Sequence, residues 1–444
     1  MNLDALRAVV GPSNVLADDD QRNGYEIDWT RRFAGRCDAV VRPASSIEVQ
    51  RVLEWCSTNR VPVVPQGGNT GLVGGGVPDG AAGERIVLST RRLDGIRELD
   101  GVGGSVVVEA GTTLQALEDH LLGSGWEFGV DLSARGSATL GGMVATNAGG
   151  TRVLRDGTMR TNLLGAEAVL ADGSLVSHLS GLVKDNTGYD WPGLLCGSEG
   201  TLGVITAVRL RLVPHRPDRV CVAVRCDGWA DAVSLASEVR RSVDGIEVIE
   251  AIDAEGARAV VAELGVRTPF VDAAVTLWFV WAGEGDPPRS LSNLVAGHEH
   301  VVGPAAELLA ARDRQSEAIA ARGIPHKMDV TVPIRSLAPF VDEIAERVRN
   351  ADPRSTLFVF GHLGDGNLHV NVIGPDPDDD RIDDIVLQTV ARNGGSISAE
   401  HGIGRAKAPW LGLSRGEEEL RMMRAIKRAL DPLNILNPGV LLVD

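Results

Sequence analysis

Three of the chain's nine histidines fall in two short segments framed by glycine, and a carboxylate stands beside the third. In Gly361-His362-Leu363-Gly364-Asp365-Gly366-Asn367-Leu368-His369, the two imidazoles are seven positions apart. On an unbroken strand they would face opposite sides. Gly364 to Asn367 is turn chemistry, however, and a four-residue loop there pairs position 362 with 369, bringing the rings across from each other. Downstream, Ser398-Ala399-Glu400-His401-Gly402 offers a carboxylate and a third imidazole between small residues. Two imidazoles and one carboxylate with coordination positions left open suit a divalent transition metal such as zinc or manganese. Any one of these side chains alone reads as structural or as surface; their clustering gives the chemistry.

Three glycine-rich stretches carry a second signal. Pro65-Gln66-Gly67-Gly68-Asn69-Thr70-Gly71-Leu72-Val73-Gly74-Gly75-Gly76 follows the apolar Val61 to Val64, and related loops run from Gly136 to Gly150 and from Gly197 to Thr206. Successive N–H groups without side-chain obstruction make an anion nest suited to a pyrophosphate. The first loop lacks the Gly-Lys-Ser/Thr of a Walker A sequence and the strict GxGxxG that opens a helix. Three such loops suit a large, extended cofactor.

The elements that must position these groups alternate between strands and helices, with no internal repeat. Arg85 to Ser89, Ser105 to Glu109 and Ala166 to Leu170 read as strands, and Ser46 to Asn59 and Thr113 to Ser124 as helices. A strand run from Gly203 to Leu212 ends at Pro214 and Pro217, where a second region begins. That region carries strands at Val220 to Arg225, Ala274 to Trp281, Leu357 to Phe360 and His369 to Ile373. Helices are expected around Asp231 to Ser242, Ala305 to Ala321 and Ile334 to Asn350, covering one face of a sheet. The acidic run Asp376 to Asp384 reads as a solvated loop, Trp278 and Trp281 as core or interface, and Cys221 and Cys226 as buried thiols. A helix over Glu417 to Leu430 leads into a tail whose Ile435, Leu436 and Val440 need burial, so the tail should dock. The expected division is an N-terminal segment at 1–34, a cofactor domain at 35–214, a substrate domain at 215–400 and a returning C-terminal segment at 401–444.

Composition narrows the class. With 44 basic against 60 acidic residues and net charge −16, a nucleic acid or an anionic membrane surface is a poor partner, so cations that bind an anionic substrate must be placed locally. Five scattered cysteines without a CxxC pair argue against a disulfide framework and for a reducing, cytoplasmic setting. No signal-like start and no stretch of 18 apolar residues occurs, so a membrane span is not expected.

In order and spacing, the three glycine loops resemble the FAD-binding domain of the vanillyl-alcohol oxidase and p-cresol methylhydroxylase flavoprotein superfamily. Lys184-Asp185-Asn186-Thr187-Gly188-Tyr189-Asp190 is similar to its segment before the last flavin loop. The resemblance implies an α+β architecture: a two-subdomain FAD-binding domain plus an α+β substrate (cap) domain with an antiparallel sheet. It implies FAD contacts from Pro65, Gly67, Gly68, Asn69, Thr70, Gly71, Gly74 and Gly75, from Ser137, Thr139, Gly142, Thr146 and Asn147, and from Glu199, Gly200, Gly203, Val204 and Ile205. Asn437 would face the flavin region. Members that tether FAD place a histidine in the first loop, where this chain has Asn69, so non-covalent FAD is implied.

The histidine segments resemble the FAD-linked dehydrogenases acting on D-2-hydroxy acids, which implies His362, His369 and Glu400 as metal ligands and His401 as general base. The metal would lower the pKa of the substrate hydroxyl, and the α-hydrogen would leave as hydride to flavin N5. Arg312, Ser316 and Lys327 match the branch acting on D-2-hydroxyglutarate, where they would hold the distal carboxylate, and Asn371 matches its substrate asparagine. That family has threonine and tyrosine where this chain has Ser316 and Met328. For Arg312, the residues alone leave open a solvated helix face paired among Asp313, Arg314 and Glu317. D-lactate or glycolate is the alternative substrate, and a flavin-binding subunit without catalysis or an alkyl-transfer enzyme is the alternative class. The expected electron acceptor is an electron-transferring flavoprotein, a quinone or a cytochrome, and a homodimer is compatible with the sequence.

Overall fold

The computed structural model describes residues 1–80, 83–377 and 379–443, in two compact units. The first comprises 1–150, 157–215 and 400–444, and the second 151–156 and 216–399.

The first unit holds two sheets. A four-stranded sheet joins Val15–Leu16, Ala39–Val41, Ile86–Ser89 and Val63–Gln66, the last three strands parallel. Its helix Ser46–Asn59 is capped by the Ser45 hydroxyl, which accepts from the Glu48 N–H, and buries Val49, Val52, Leu53 and Cys56. An antiparallel sheet is built around the long strand Val204–Pro214, flanked by Ser105–Glu109 and Leu163–Val169. The tail docks as its apolar residues require: Leu436 bridges to Val63, and Ile435, Leu436 and Val440 are buried.

The second unit is a seven-stranded antiparallel sheet in the order His300–Pro304, Asp218–Cys226, Val275–Gly283, Ile246–Asp253, Thr356–His362, Asn367–Ile373, His326–Thr331. Every residue from Val275 to Ala282 is buried, so helices cover both faces rather than the one face expected. Ala254–Leu264, Ala310–Asp313 and Gln315–Arg322 pack over one face, sharing a core with Trp278, Phe358 and Phe360. Trp229–Ser242, Leu337–Ala351 and Arg381–Arg392 form the other layer.

Three local expectations are corrected. The helix expected over Ala305 to Ala321 is three pieces, Ala305–Leu308, Ala310–Asp313 and Gln315–Arg322, broken at Leu309 and again at Arg314, which leaves the helical region at φ −97° and ψ 13°. The acidic run is only partly a loop. Its second half is the first turn of Arg381–Arg392, where Asp383 and Asp384 suit a helix N-terminus; residue 378 lies outside the described residues. Last, the hairpin register differs by two: Phe360, not His362, stands opposite His369. Because side chains alternate with period two, an even shift keeps both imidazoles on one face, and their ring centroids are 5.4 Å apart, edge to face.

All five cysteines are free and buried. Among the described residues, no helix is long and apolar enough to cross a membrane.

Candidate active site

In the first unit the three glycine loops converge. The helix Leu140–Thr146 is capped by Thr139, whose hydroxyl accepts from the Gly142 N–H at 3.4 Å, and ends at Asn147 in the left-handed region at φ 51°. Thr146 donates to the Gly142 carbonyl oxygen at 3.1 Å. Gly67 and Gly68 press on this loop so closely that a Cβ at Gly67 would enter the Thr139 hydroxyl and one at Gly68 the Ser137 carbonyl oxygen. A Cβ at Gly200 would meet Pro65, and one at Gly74 the Phe33 ring. Gly71 opens onto clear space, and Thr70 before it is half-buried. Asn69, at φ 56°, donates to the Ile27 carbonyl oxygen at 2.9 Å. Gly203 leads into Val204 and Ile205, both buried at the start of their strand.

Asn437 knits the loops together, donating through Nδ2 to the carbonyl oxygens of Gly75 at 2.9 Å and Glu199 at 2.7 Å. The Glu199 carboxylate accepts from the Ile403 and Gly404 N–H groups, each at 2.8 Å. Burial raises the pKa of Glu199, with those two donors pulling the other way. Its side chain therefore anchors the 401–404 loop, and what it offers a cofactor is backbone. These residues fit a flavin dinucleotide. Left-handed backbone at Asn69, Gly74, Asn147 and Gly200 turns N–H groups in the manner of anion nests, and Asn437 Oδ1 and Ser198 Oγ are buried without a hydrogen-bond partner.

Glu400 and His401 also lie in the first unit. Glu400 Oε2 accepts from the Gly150 N–H at 2.8 Å, and its Oε1 is 3.7 Å from His401 Nε2.

The second unit gathers the other candidates on one sheet face. Across the strands, Glu250 stands opposite His362, Phe360 and Asp329 opposite His369, and Lys327 opposite Asn371. Both imidazoles are held by buried carboxylates. His362 Nδ1 lies against Glu250 Oε1, and His369 Nδ1 is 3.5 Å from Asp329 Oδ1. A carboxylate only accepts, so Nδ1 of His362 carries the proton and the ring's lone pair stands on Nε2. Such carboxylate–histidine pairs orient imidazoles that ligate metals, and this donor set fits a divalent cation.

Arg312 comes onto this face from its short helix. It is 8% exposed, donates from Nε to Glu250 Oε2 at 2.6 Å and stacks over Phe360 at 5.0 Å. The solvated pairing left open for it belongs to Arg314 and Glu317 instead. Lys327 donates to the Ser316 hydroxyl at 3.4 Å, and burial pulls its pKa down, only partly offset by Asp329. Asn371 Nδ2 is buried with no hydrogen-bond partner. Met328, adjacent in the strand, points to the opposite face, so its departure from tyrosine does not alter this cluster.

Sequence reasoning missed Glu250, Phe360 and the orienting role of Asp329. The strand Ile246–Asp253 went unseen because Glu247 and Glu250 break its apolar pattern, although each is 1% exposed. A signal was available: buried carboxylates need cations, and Glu247 has Arg152, Arg216 and Arg219 within 3.4 Å.

Two family models match the chain: an FAD binding domain over residues 37–178 and the C-terminal domain of FAD linked oxidases over residues 216–441. The chain is 37% identical to a mitochondrial D-2-hydroxyglutarate dehydrogenase of Bos taurus, an alignment covering 98% of this chain and 82% of that protein. It is also 37% identical to a D-2-hydroxyglutarate dehydrogenase of Xanthomonas citri pv. viticola, covering 94% and 92%. Among solved structures, p-cresol methylhydroxylase with substrate bound aligns with a TM-score of 0.77 over 100% of this chain and 96% of that one, at 18% identity, a likeness of fold.

Proposed function

The chain belongs to the FAD linked oxidase family and is an FAD-dependent oxidoreductase, and on that premise we propose that it oxidises D-2-hydroxyglutarate to 2-oxoglutarate with a divalent metal at the site. The observation that carries this reading is the sheet face of the second unit. There His369, held by Asp329, and the opposed pair Lys327 and Asn371 stand two residues apart along one strand, about 7 Å, the scale of a short dicarboxylic acid, with the His362 ring 5.4 Å from that of His369.

Arg312 and Lys327 are assigned the distal carboxylate, with Ser316 and Asn371 completing its hydrogen bonds. His362, His369 and Glu400 are assigned the metal. When bound, FAD supplies the hydride acceptor and the metal, zinc or manganese, lowers the pKa of the substrate hydroxyl. His401 takes the hydroxyl proton as the α-hydrogen departs with its electron pair, leaving the carbonyl of the 2-oxo acid. The remaining work of this chain is to hold the α-carbon in line, which is where orientation contributes most.

The test is anaerobic mixing of the FAD- and metal-loaded protein with D-2-hydroxyglutarate, D-lactate, D-malate and their L-enantiomers, following flavin absorbance near ~450 nm. Rapid bleaching by D-2-hydroxyglutarate is expected, slowed by about 10²–10⁴-fold in His401→Ala and abolished by a chelator. Bleaching by a monocarboxylic D-acid alone would reassign the substrate, and no bleaching by any acid would overturn the reading.

A further inference from the structure

Glu250 has been assigned neither to the metal nor to the substrate, yet it touches a residue of each group. We infer that Glu250 is a positioning residue that ties recognition of the substrate's distal carboxylate to the metal-binding imidazoles. One buried carboxylate holds His362 Nδ1 through Oε1 and Arg312 Nε through Oε2 at 2.6 Å. The inference rests on the proposed function, since it takes His362 as a metal ligand and Arg312 as a substrate cation.

The arrangement is specific to a charged carboxylate. Both partners present N–H donors, and only a carboxylate accepts from two of them through two equivalent oxygens. Glutamine would offer one oxygen and one NH2 group, so it must lose a partner or force His362 into the other tautomer, with the lone pair on Nδ1. It would also remove the negative charge that supports both the imidazole and the guanidinium. The link is reinforced from the side: Arg312 stacks over Phe360 at 5.0 Å, and Phe360 stacks against His369 with centroids 4.9 Å apart. A shift of Arg312 is therefore felt by both imidazoles. Glu250 is 1% exposed and fixed on a central strand opposite His362, so it has no room to adjust alone.

A second buried glutamate on the same strand is an internal control. Glu247 pairs with Arg152 at 3.4 Å, Arg216 at 3.2 Å and Arg219 at 2.9 Å, three arginines assigned no part in the site. It supports the strand without facing the site.

The experiment uses the FAD-loaded full chain. Zinc affinity is measured by competition with a chromophoric chelator, and KM for D-2-hydroxyglutarate is measured at saturating zinc. Glu250→Gln is expected to weaken zinc by about 10–100-fold and to raise KM by roughly tenfold, the scale of one charge-assisted hydrogen bond. Flavin content should stay at the wild-type level. Glu247→Gln is expected to lower the thermal midpoint while leaving zinc affinity within about twofold. Should Glu250→Gln fail to fold, Arg312→Lys reads the link from the other end: Arg312 bonds to Glu250 and stacks over Phe360, and zinc affinity should fall several-fold.

Zinc affinity or KM unchanged in Glu250→Gln, or zinc affinity unchanged in Arg312→Lys, overturns the inference. Equal loss of zinc affinity in Glu247→Gln also overturns it, because the effect would then be general loosening of the strand. If wild type binds zinc and is reduced by D-2-hydroxyglutarate while these variants behave like it, only the inference falls. If wild type holds no metal, the proposed function falls with it.

Discussion

Asp329 and His369 stand directly opposite each other on neighbouring antiparallel strands, with Asp329 Oδ1 3.5 Å from His369 Nδ1. The same carboxylate accepts from Asn367 Nδ2 at 2.8 Å and from the Ala399 N–H at 3.1 Å, so one fully buried side chain fixes an imidazole, the hairpin loop and the end of the second unit's chain. Asp329→Asn should therefore weaken metal binding by about 10–100-fold. It should also destabilise the fold by about 1–3 kcal/mol, because a buried donor loses its acceptor. Chelator competition and thermal unfolding check the two effects separately.

Lys327 supplies a pH dependence. Burial lowers its pKa below the ordinary value of 10.5, so its positive charge is lost at a lower pH than for a solvent-exposed lysine. KM for a dicarboxylic substrate should then rise with pH across that range, while KM for D-lactate, which has no distal carboxylate, should rise less. Lys327→Met should abolish the difference between the two profiles. The stability sign follows from proton counting. Between the folded and unfolded pKa values the unfolded chain binds more protons, so the Lys327 contribution to stability increases with pH there.

Asp253 titrates in the opposite sense. Burial raises its pKa from 3.8 to about 7, against the pull of the Gly256 and Val359 N–H groups. The folded chain binds the extra proton, so this group's contribution is fully present below pH 3.8 and is lost as pH rises through 7. Asp253→Asn should flatten the slope of stability between those limits, and urea unfolding at a series of pH values measures it.

Gly68 is the most demanding position of the first loop, since a Cβ there would enter the backbone of Ser137. Backbone cannot step aside as a flexible side chain can, so Gly68→Ala should part the two loops and lower the flavin content of the purified protein. The ratio of flavin to protein absorbance reads this directly. A variant that retains full flavin would show that the loops yield at little cost.

Legibility in the sequence followed periodicity and polarity. The helix Ser46–Asn59 was read end to end because its apolar positions and its Ser45 cap agree, and the glycine loops were visible as composition. The imidazole pair was legible because Asp365 and Gly366 force a turn, and the two-residue error in register did not matter to the face. The strand Ile246–Asp253 was not legible. Its Glu247 and Glu250 look like surface residues until the arginines that neutralise them, far along the chain, are known. Arg312 was ambiguous for the same reason: only the fold reveals that it turns inward to Glu250 while Arg314 pairs outward with Glu317.

The central claim is that the flavin takes hydride from the α-carbon of a D-2-hydroxy dicarboxylic acid, and single-turnover reduction with substrate deuterated at that carbon tests it most directly. The account predicts that D-2-hydroxyglutarate bleaches the flavin stoichiometrically, that deuteration slows the bleaching several-fold, and that the L-enantiomer leaves it oxidised. Equal reduction by both enantiomers, or reduction indifferent to deuterium even in His401→Ala where the chemical step is slowed, would contradict it.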